Sequence, residues 1–217
     1  MRLIQPVLFS AKRAAAFTLV ELLAVIAIIG ILMAFLLPKI PEVIDQTKVT
    51  ACEKNLHEIY NGLQIYQTKY KRLPNESGVR FFTTLISRKV WENTKTSAQK
   101  LTCPGVDIGF LEIGAIEEPS DWYVDAEAVT GEYSSYAGRD CEEYPLRSMN
   151  GKEPLVADDN DGGGNHRTTT NVLYGDGAVN TFELALEQEK GNVGPDEEWV
   201  PVGPDSPIAD LAKLVLD

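Results

Sequence analysis

The sequence predicts an α+β fold in which one long N-terminal helix packs on a small antiparallel sheet, and three features of its 217 residues carry that prediction. One is a nearly continuous apolar run, FTLVELLAVIAIIGILMAFLL, from Phe17 to Leu37. Another is a stripe of apolar residues at helical spacing between Val49 and Tyr70. The third is a pair of β-prone segments, Val172 to Tyr174 and Val179 to Phe182, joined through Gly175, Asp176, Gly177 and Ala178 as a hairpin.

The apolar run is 21 residues long. As a helix it rises about 31 Å, which matches the roughly 30 Å hydrocarbon core of a bilayer. Arg2, Lys12 and Arg13 precede it without any acid, so the charge rule keeps the N-terminus cytoplasmic and sends the rest of the chain across. The flank after it, LLPKIP, holds two prolines and no small-residue cleavage site, which argues against removal of the span as a secretory signal. Ala14, Ala15 and Ala16 instead lie before the run, and a cut there retains the helix.

Glu21 is the anomaly within this run. An ionised carboxylate in hydrocarbon costs several kcal/mol unless it is paired or near an interface. No lysine, arginine or histidine occurs between Phe17 and Leu37. Two readings follow: the carboxylate stays hydrated at the cytoplasmic face, or it pairs with an amino terminus created by a cut before Phe17. In staggered parallel helices, the Phe17 ammonium of one subunit would then neutralise Glu21 of its neighbour.

Pro38 and Pro41 follow the span and disturb the helical ladder, with Pro38 the expected kink. Helical spacing resumes with Val49, Cys52, Leu56, Ile59, Leu63, Tyr66 and Tyr70, a stripe suited to packing on a sheet of the same domain. His57 lies off the stripe and reads as solvated. Leu73, Pro74, Asn75 and Gly78 end the helix. The organisation expected is a basic leader over 1–16, a transmembrane and assembly helix over 17–40, its amphipathic continuation over 41–72, a globular domain over 73–186, and an acidic tail over 187–217. FFTTLI, DIGFLEIG and DWYVDAEAV read as short apolar pieces among loops. The tail, rich in Gly and Pro, reads as an exposed extension ending in a short helix that starts at Ser206, Pro207 and Asp210, with Ile208, Leu211, Ala212 and Val215 on one face to dock on its own domain or on a neighbour.

The net charge of -12 opposes binding to phosphate backbones, and no basic stripe offsets it, so direct nucleic-acid binding is not expected. Three cysteines and no C-x-x-C pair give neither a disulfide scaffold nor a zinc signature. If the domain lies outside the cytoplasm, Cys103 with Cys141 is the preferred bridge, leaving Cys52 on the helix. Asp158, Asp159 and Asp161 in LVADDNDGGGNH offer hard oxygen donors suited to Ca²⁺, although the register departs from an EF-hand; a solvated acidic turn is the simpler reading. No serine sits in a nucleophile motif, and a Ser-His-Asp set would have to draw on Ser135, His166 and Asp159 or Asp176. The expectation is therefore no enzyme. A signal-anchored binding or enzymatic domain is the competing reading.

KRAAAFTLVELLAVIAIIGIL resembles the processing and methylation motif of type IV prepilins and type II secretion pseudopilins. The resemblance implies a prepilin peptidase cutting between Ala16 and Phe17, N-methylation of Phe17, and Glu21 as the assembly glutamate. Ala16 stands where glycine is usual. The resemblance also implies a type IV pilin fold, residence in the inner membrane before assembly, and a periplasmic or otherwise extracytoplasmic domain. Its implied partners are other copies of the chain, minor pilins or pseudopilins, and an inner-membrane assembly platform. YKRLPNESGVRFFTTLIS is similar to the pseudopilin junction, where a tyrosine, a proline and a glycine precede a short helix. LTCPG, SSYAGRD and the pattern of His166, Asn171, Asp176 and Gly177 resemble pilin-like families of planctomycetes, with Arg167 and Thr168 in place of two glycines. Some pseudopilins bind calcium in a C-terminal loop, which is the resemblance's bearing on the Asp158 segment.

Overall fold

The structure, a computed structural model, describes residues 18–116, 123–149, 151–160 and 163–217. The chain divides into two compact units between Val43 and Ile44. In the first, helix α1 spans Leu19–Leu36, and none of its residues is buried. A 3-10 turn, Leu37–Lys39, follows. It coincides with Pro38, whose ring nitrogen has no hydrogen to donate to the α ladder. Helix α2, Ile40–Tyr70, then resumes.

The second unit is built on α2. Its buried residues are Val49, Cys52, Leu56, Ile59, Gly62, Leu63 and Tyr66. That is the predicted stripe shortened by Tyr70, whose ring is 36% exposed and whose hydroxyl donates to the Arg88 carbonyl. Gly62 is present because α2 passes close to its cover: a β-carbon there would meet Leu85 and the Trp91 ring. FFTTLI lies in α3, Val79–Ser87. A short helix, α4, spans Lys95–Gln99, capped by Thr94 accepting from the Ser97 amide.

Five strands form one antiparallel sheet: β1 Tyr136–Arg139, β2 Pro154–Asp158, β3 Thr169–Tyr174, β4 Val179–Glu183 and β5 Leu214–Val215. Their order is β4-β3-β2-β1-β5. The hairpin expected from NVLYGDGAVNTFEL is β3–β4, with Leu173 opposite Val179. Gly177 sits in its turn at φ 85°, a left-handed conformation suited to glycine, against the Tyr60 ring.

Residues on the central strands divide between two cores, alternating with the pleat except at the β2 register shift, where Leu155 and Val156 both enter the first. Tyr136, Val156 and Leu173 enter the core shared with α2 and α3. Ala137, Ala157, Val172 and Tyr174 enter a second core with Val193, Val200, Leu211 and Leu214. The sheet is therefore covered on both faces, and the cover of its second face is the tail. The expectation of an exposed extension is corrected here, and of the two docking partners left open for its last apolar residues the structure has their own domain, with Leu211 in the core. After helix α5, Leu184–Glu189, the chain crosses the sheet and ends in a 3-10 turn, Leu211–Lys213, followed by β5 on the edge of β1. The expected terminal helix is replaced by that turn and strand, which satisfy β1's edge hydrogen bonds as a helix would not.

Glu187 holds the start of this crossing. Its side chain is almost fully buried and accepts from Lys190 Nζ at 2.6 Å and Asn192 Nδ2 at 2.7 Å. The Lys190 ammonium, opposed by burial and helped by Asn192, holds the carboxyl below its ordinary range. A carboxyl depressed in the folded state contributes stability at neutral pH that is lost as pH falls through and below the ordinary glutamate range. Glu187→Gln is thus expected to lower the urea midpoint near pH 7, with the gap from the parent closing below about pH 4. A gap that persists unchanged in acid would show that shape, not charge, accounts for the effect.

Candidate functional site

Two places bring sequence-singled residues together. At the start of α1, Thr18 is the N-cap, and its hydroxyl accepts from the Glu21 amide at 3.2 Å. Glu21 reaches back, accepting from the Thr18 amide and hydroxyl, each at 2.8 Å. This is a capping box, which satisfies two donors reciprocally. Glu21 thus has uncharged partners one turn away, and the T-x-x-E spacing of TLVE was the readable sign of them. Ala16 and Phe17, the expected processing residues, lie outside the described residues.

Beyond Thr18, α1 presents apolar side chains on every side: Leu19, Val20, Leu22, Ile26, Ile31 and Phe35 are each more than half exposed. A helix that is hydrophobic all round belongs in a bilayer or in a bundle of similar helices. The helical segment that contains it is long and apolar enough to cross a membrane.

The second place is inside the domain, where α2 meets the sheet. Cys52 from α2, Cys103 from the loop after α4, Asp158 at the end of β2 and His166 just before β3 are all buried, with one donor atom from each lying within 4.8 Å of the others. The Cys52 thiol donates to Asp158 Oδ1 at 3.2 Å and lies 3.3 Å from the Tyr136 hydroxyl. Cys103 Sγ is 3.3 Å from His166 Nε2 and accepts from the Gly105 amide. Asn171 donates its backbone and side-chain N–H groups to Asp158 Oδ2, at 2.7 and 3.0 Å, while Asn165 Nδ2 reaches Oδ1 at 3.3 Å. Burial and the nearby Asp158 charge push the Cys52 thiol well up. Burial acts in the same sense on Cys103, but hydrogen bonds with Cys52 and His166 outweigh it and hold that thiol lower. Burial opposes a proton on His166, yet Cys103, Asp158 and Asp45 together raise its pKa.

This cluster revises several expectations. Cys103 and Cys141 do not pair: both are free thiols, and Cys103 faces Cys52 and His166 while Cys141 Sγ lies 3.8 Å from the Pro74 carbonyl. Burial pushes Cys141 up to about 11. Asp158 does not lie in a solvent-exposed calcium loop: it is fully buried, and Asn171 and Asn165 hold its carboxylate inside the core. Asp159 is the next residue along and is only partly buried, its backbone amide donating to the Ser135 carbonyl. Asp161 lies outside the described residues. Ser135 is buried, and its hydroxyl accepts from the Cys103 amide at 2.8 Å. Asp176 Oδ1 accepts from the Ala178 amide within the β3–β4 turn. His57 is exposed, as expected. The residues missed in the sequence are Cys52, which its place on the buried stripe could have indicated, and Asn165 and Tyr136, for which spacing gave no sign.

An exposed apolar helix headed by a glutamate capping box continues into a helix packed on a small five-stranded antiparallel sheet, consistent with the α+β pilin fold. Residues 11–37 match the family model of the prokaryotic N-terminal methylation motif. The match supports a type IV pilin-like protein processed by prepilin peptidase and assembled with other pilin subunits, and with the apolar helix it suggests membrane anchoring. No curated protein and no solved structure matches the chain.

Proposed function

We propose that this chain is a structural subunit of a type IV pilus or type II secretion-like filament, polymerised through its N-terminal helix. The carrying observation is α1, an apolar helix within the methylation motif with no buried residue in its own unit. Such a surface is stable in a bilayer as a reservoir and equally stable when parallel copies surround it in a filament. In this reading the N-terminus is cytoplasmic, the domain lies outside the cytoplasm, and the cut falls between Ala16 and Phe17. An assembly platform in the inner membrane would extract the helix. Pilus and pseudopilus subunits share this mechanism, and an enzymatic role is not proposed.

Mass spectrometry of the protein isolated from membranes tests the reading. The expected product begins at Phe17 and carries one N-methyl group. An N-terminus at Met1, or a cut after Leu37 that discards the helix, would overturn it.

A further inference from the structure

We infer that Cys52, Cys103, Asp158 and His166 form a structural binding site for a divalent, borderline-soft cation of the zinc type, which ties α2 to the sheet. The site is built by residues separated by up to 114 positions in the chain, yet their donor atoms converge within 4.8 Å. Zinc holds thiolate sulfur at about 2.3 Å and imidazole nitrogen or carboxylate oxygen at about 2.0–2.2 Å, so the edges of its tetrahedron are about 3.3–3.8 Å. Two edges fall in that range, 3.3 Å from Cys103 Sγ to His166 Nε2 and 3.7 Å from His166 Nε2 to Asp158 Oδ2; with the four donor atoms within 4.8 Å of one another, the widest pair would have to close by up to about 1 Å around the ion.

The surroundings have the character of a metal's supporting layer. His166 Nδ1 is buried without a hydrogen bond, and Asp45 Oδ1 lies 3.7 Å from it. A ring bound through Nε2 carries its proton on Nδ1, directed at that carboxylate, the usual arrangement that orients a metal-bound histidine. Asn171 and Asn165 fix the Asp158 carboxylate, and the Gly105 amide supports the Cys103 sulfur. Among the described residues, Asp158 has no lysine or arginine within 4 Å to balance its buried charge. Its basic neighbour there is His166, with Nε2 3.7 Å from Asp158 Oδ2, and a bound cation would engage both side chains at once. Both thiols bind as thiolates, and their protons leave to solvent.

The lack of a C-x-x-C pair hid this site, because each ligand comes from a different element. Its role is to lock α2, the loop after α4, the end of β2 and the approach to β3 together in a domain that has no disulfide among its three cysteines.

The test uses the full chain in detergent, purified anaerobically from zinc-sufficient cells. One zinc per chain is expected after dialysis. Replacement by Co²⁺ should give a tetrahedral spectrum with a thiolate-to-cobalt band in the near ultraviolet. Cys141→Ser should retain the metal, and Cys52→Ser or Cys103→Ser should lose the zinc or weaken the band. Because those two variants perturb the core, Asp45→Asn provides a milder probe: it should weaken zinc binding about 10–100-fold while the urea midpoint of the zinc-saturated chain stays near the parent's. Absence of bound metal together with no cobalt–thiolate band in the reduced parent would overturn the proposal. So would recovery of a Cys52–Cys103 disulfide as the native state, or unchanged affinity in Asp45→Asn.

Discussion

Glu21→Val is expected to abolish entry into filaments while the chain remains anchored and its domain folded. Valine suits a membrane-spanning helix better than glutamate does, so insertion is unharmed. Glu21 belongs to neither hydrophobic core, so the domain should keep its protease resistance. Assembly is affected because a carboxylate accepts more hydrogen bonds than the two that Thr18 donates. In the proposed filament, a neighbour's Phe17 ammonium would take up the remaining capacity. Removing one member of a buried ion pair costs about 3–5 kcal/mol, which is on the order of a hundred- to several-thousandfold in each subunit contact. Glu21→Gln separates the two functions of the side chain. It retains a carbonyl oxygen for the Thr18 donors but lacks the charge, so it should cap the helix and still assemble poorly. The readout is the share of the protein in sheared filaments relative to membranes. Full assembly by either variant would remove the charge pair from the mechanism.

The parts of the fold written in contiguous sequence were legible. The 3.6-residue spacing from Val49 to Tyr66 marks α2, because a helix buried on one face must repeat its apolar residues with that period. The glycine turn between Val172 and Phe182 marks the hairpin, because few residues tolerate the φ at Gly177. What was hidden depends on long-range contact. YAGR, PLVAD and TTNVLY lack the polar–apolar alternation of a sheet with one wet face, and this should have demanded a cover on both sides. The covering residues Val193, Val200, Leu211 and Leu214 are scattered among prolines, glycines and acids, so composition made the tail read as solvated. The cysteine–histidine cluster was hidden for the same reason. Its four ligands have no common spacing, and only the stacking of α2 on the sheet defines them as a group.

That covering segment predicts the second large effect: a chain ending at Pro204 should lose the cooperative unfolding of its domain. The truncation strips Leu211 and Leu214, both fully buried, from the sheet's second face. Burial of each leucine contributes about 1.5–3 kcal/mol, a large share of the roughly 5–15 kcal/mol that stabilises a typical domain. It also removes β5 from β1 and further hydrogen bonds, among them those to the Leu216 carbonyl, which accepts from the Val79 amide, the Lys213 carbonyl, which accepts from the Asp140 amide, and the Asp217 side-chain carboxylate, which accepts from the Gly131 amide. The first of these holds the N-terminus of α3, so damage should spread from the second core into the first. An unpaired β1 edge beside an uncovered apolar face also invites aggregation. Leu211→Ala isolates the packing contribution, since it leaves the backbone of β5 in place, and should cost about 2–5 kcal/mol in a urea titration. The expected order is parent, Leu211→Ala, then the truncated chain, which should show rapid proteolysis throughout residues 44–204. A truncated domain with the parent's midpoint would mean that the tail merely rests on a sheet already stable without it. The membrane anchor is separate from this effect: α1 makes no contribution to either core, so the truncated chain should still reach the membrane and fail there as an unfolded domain.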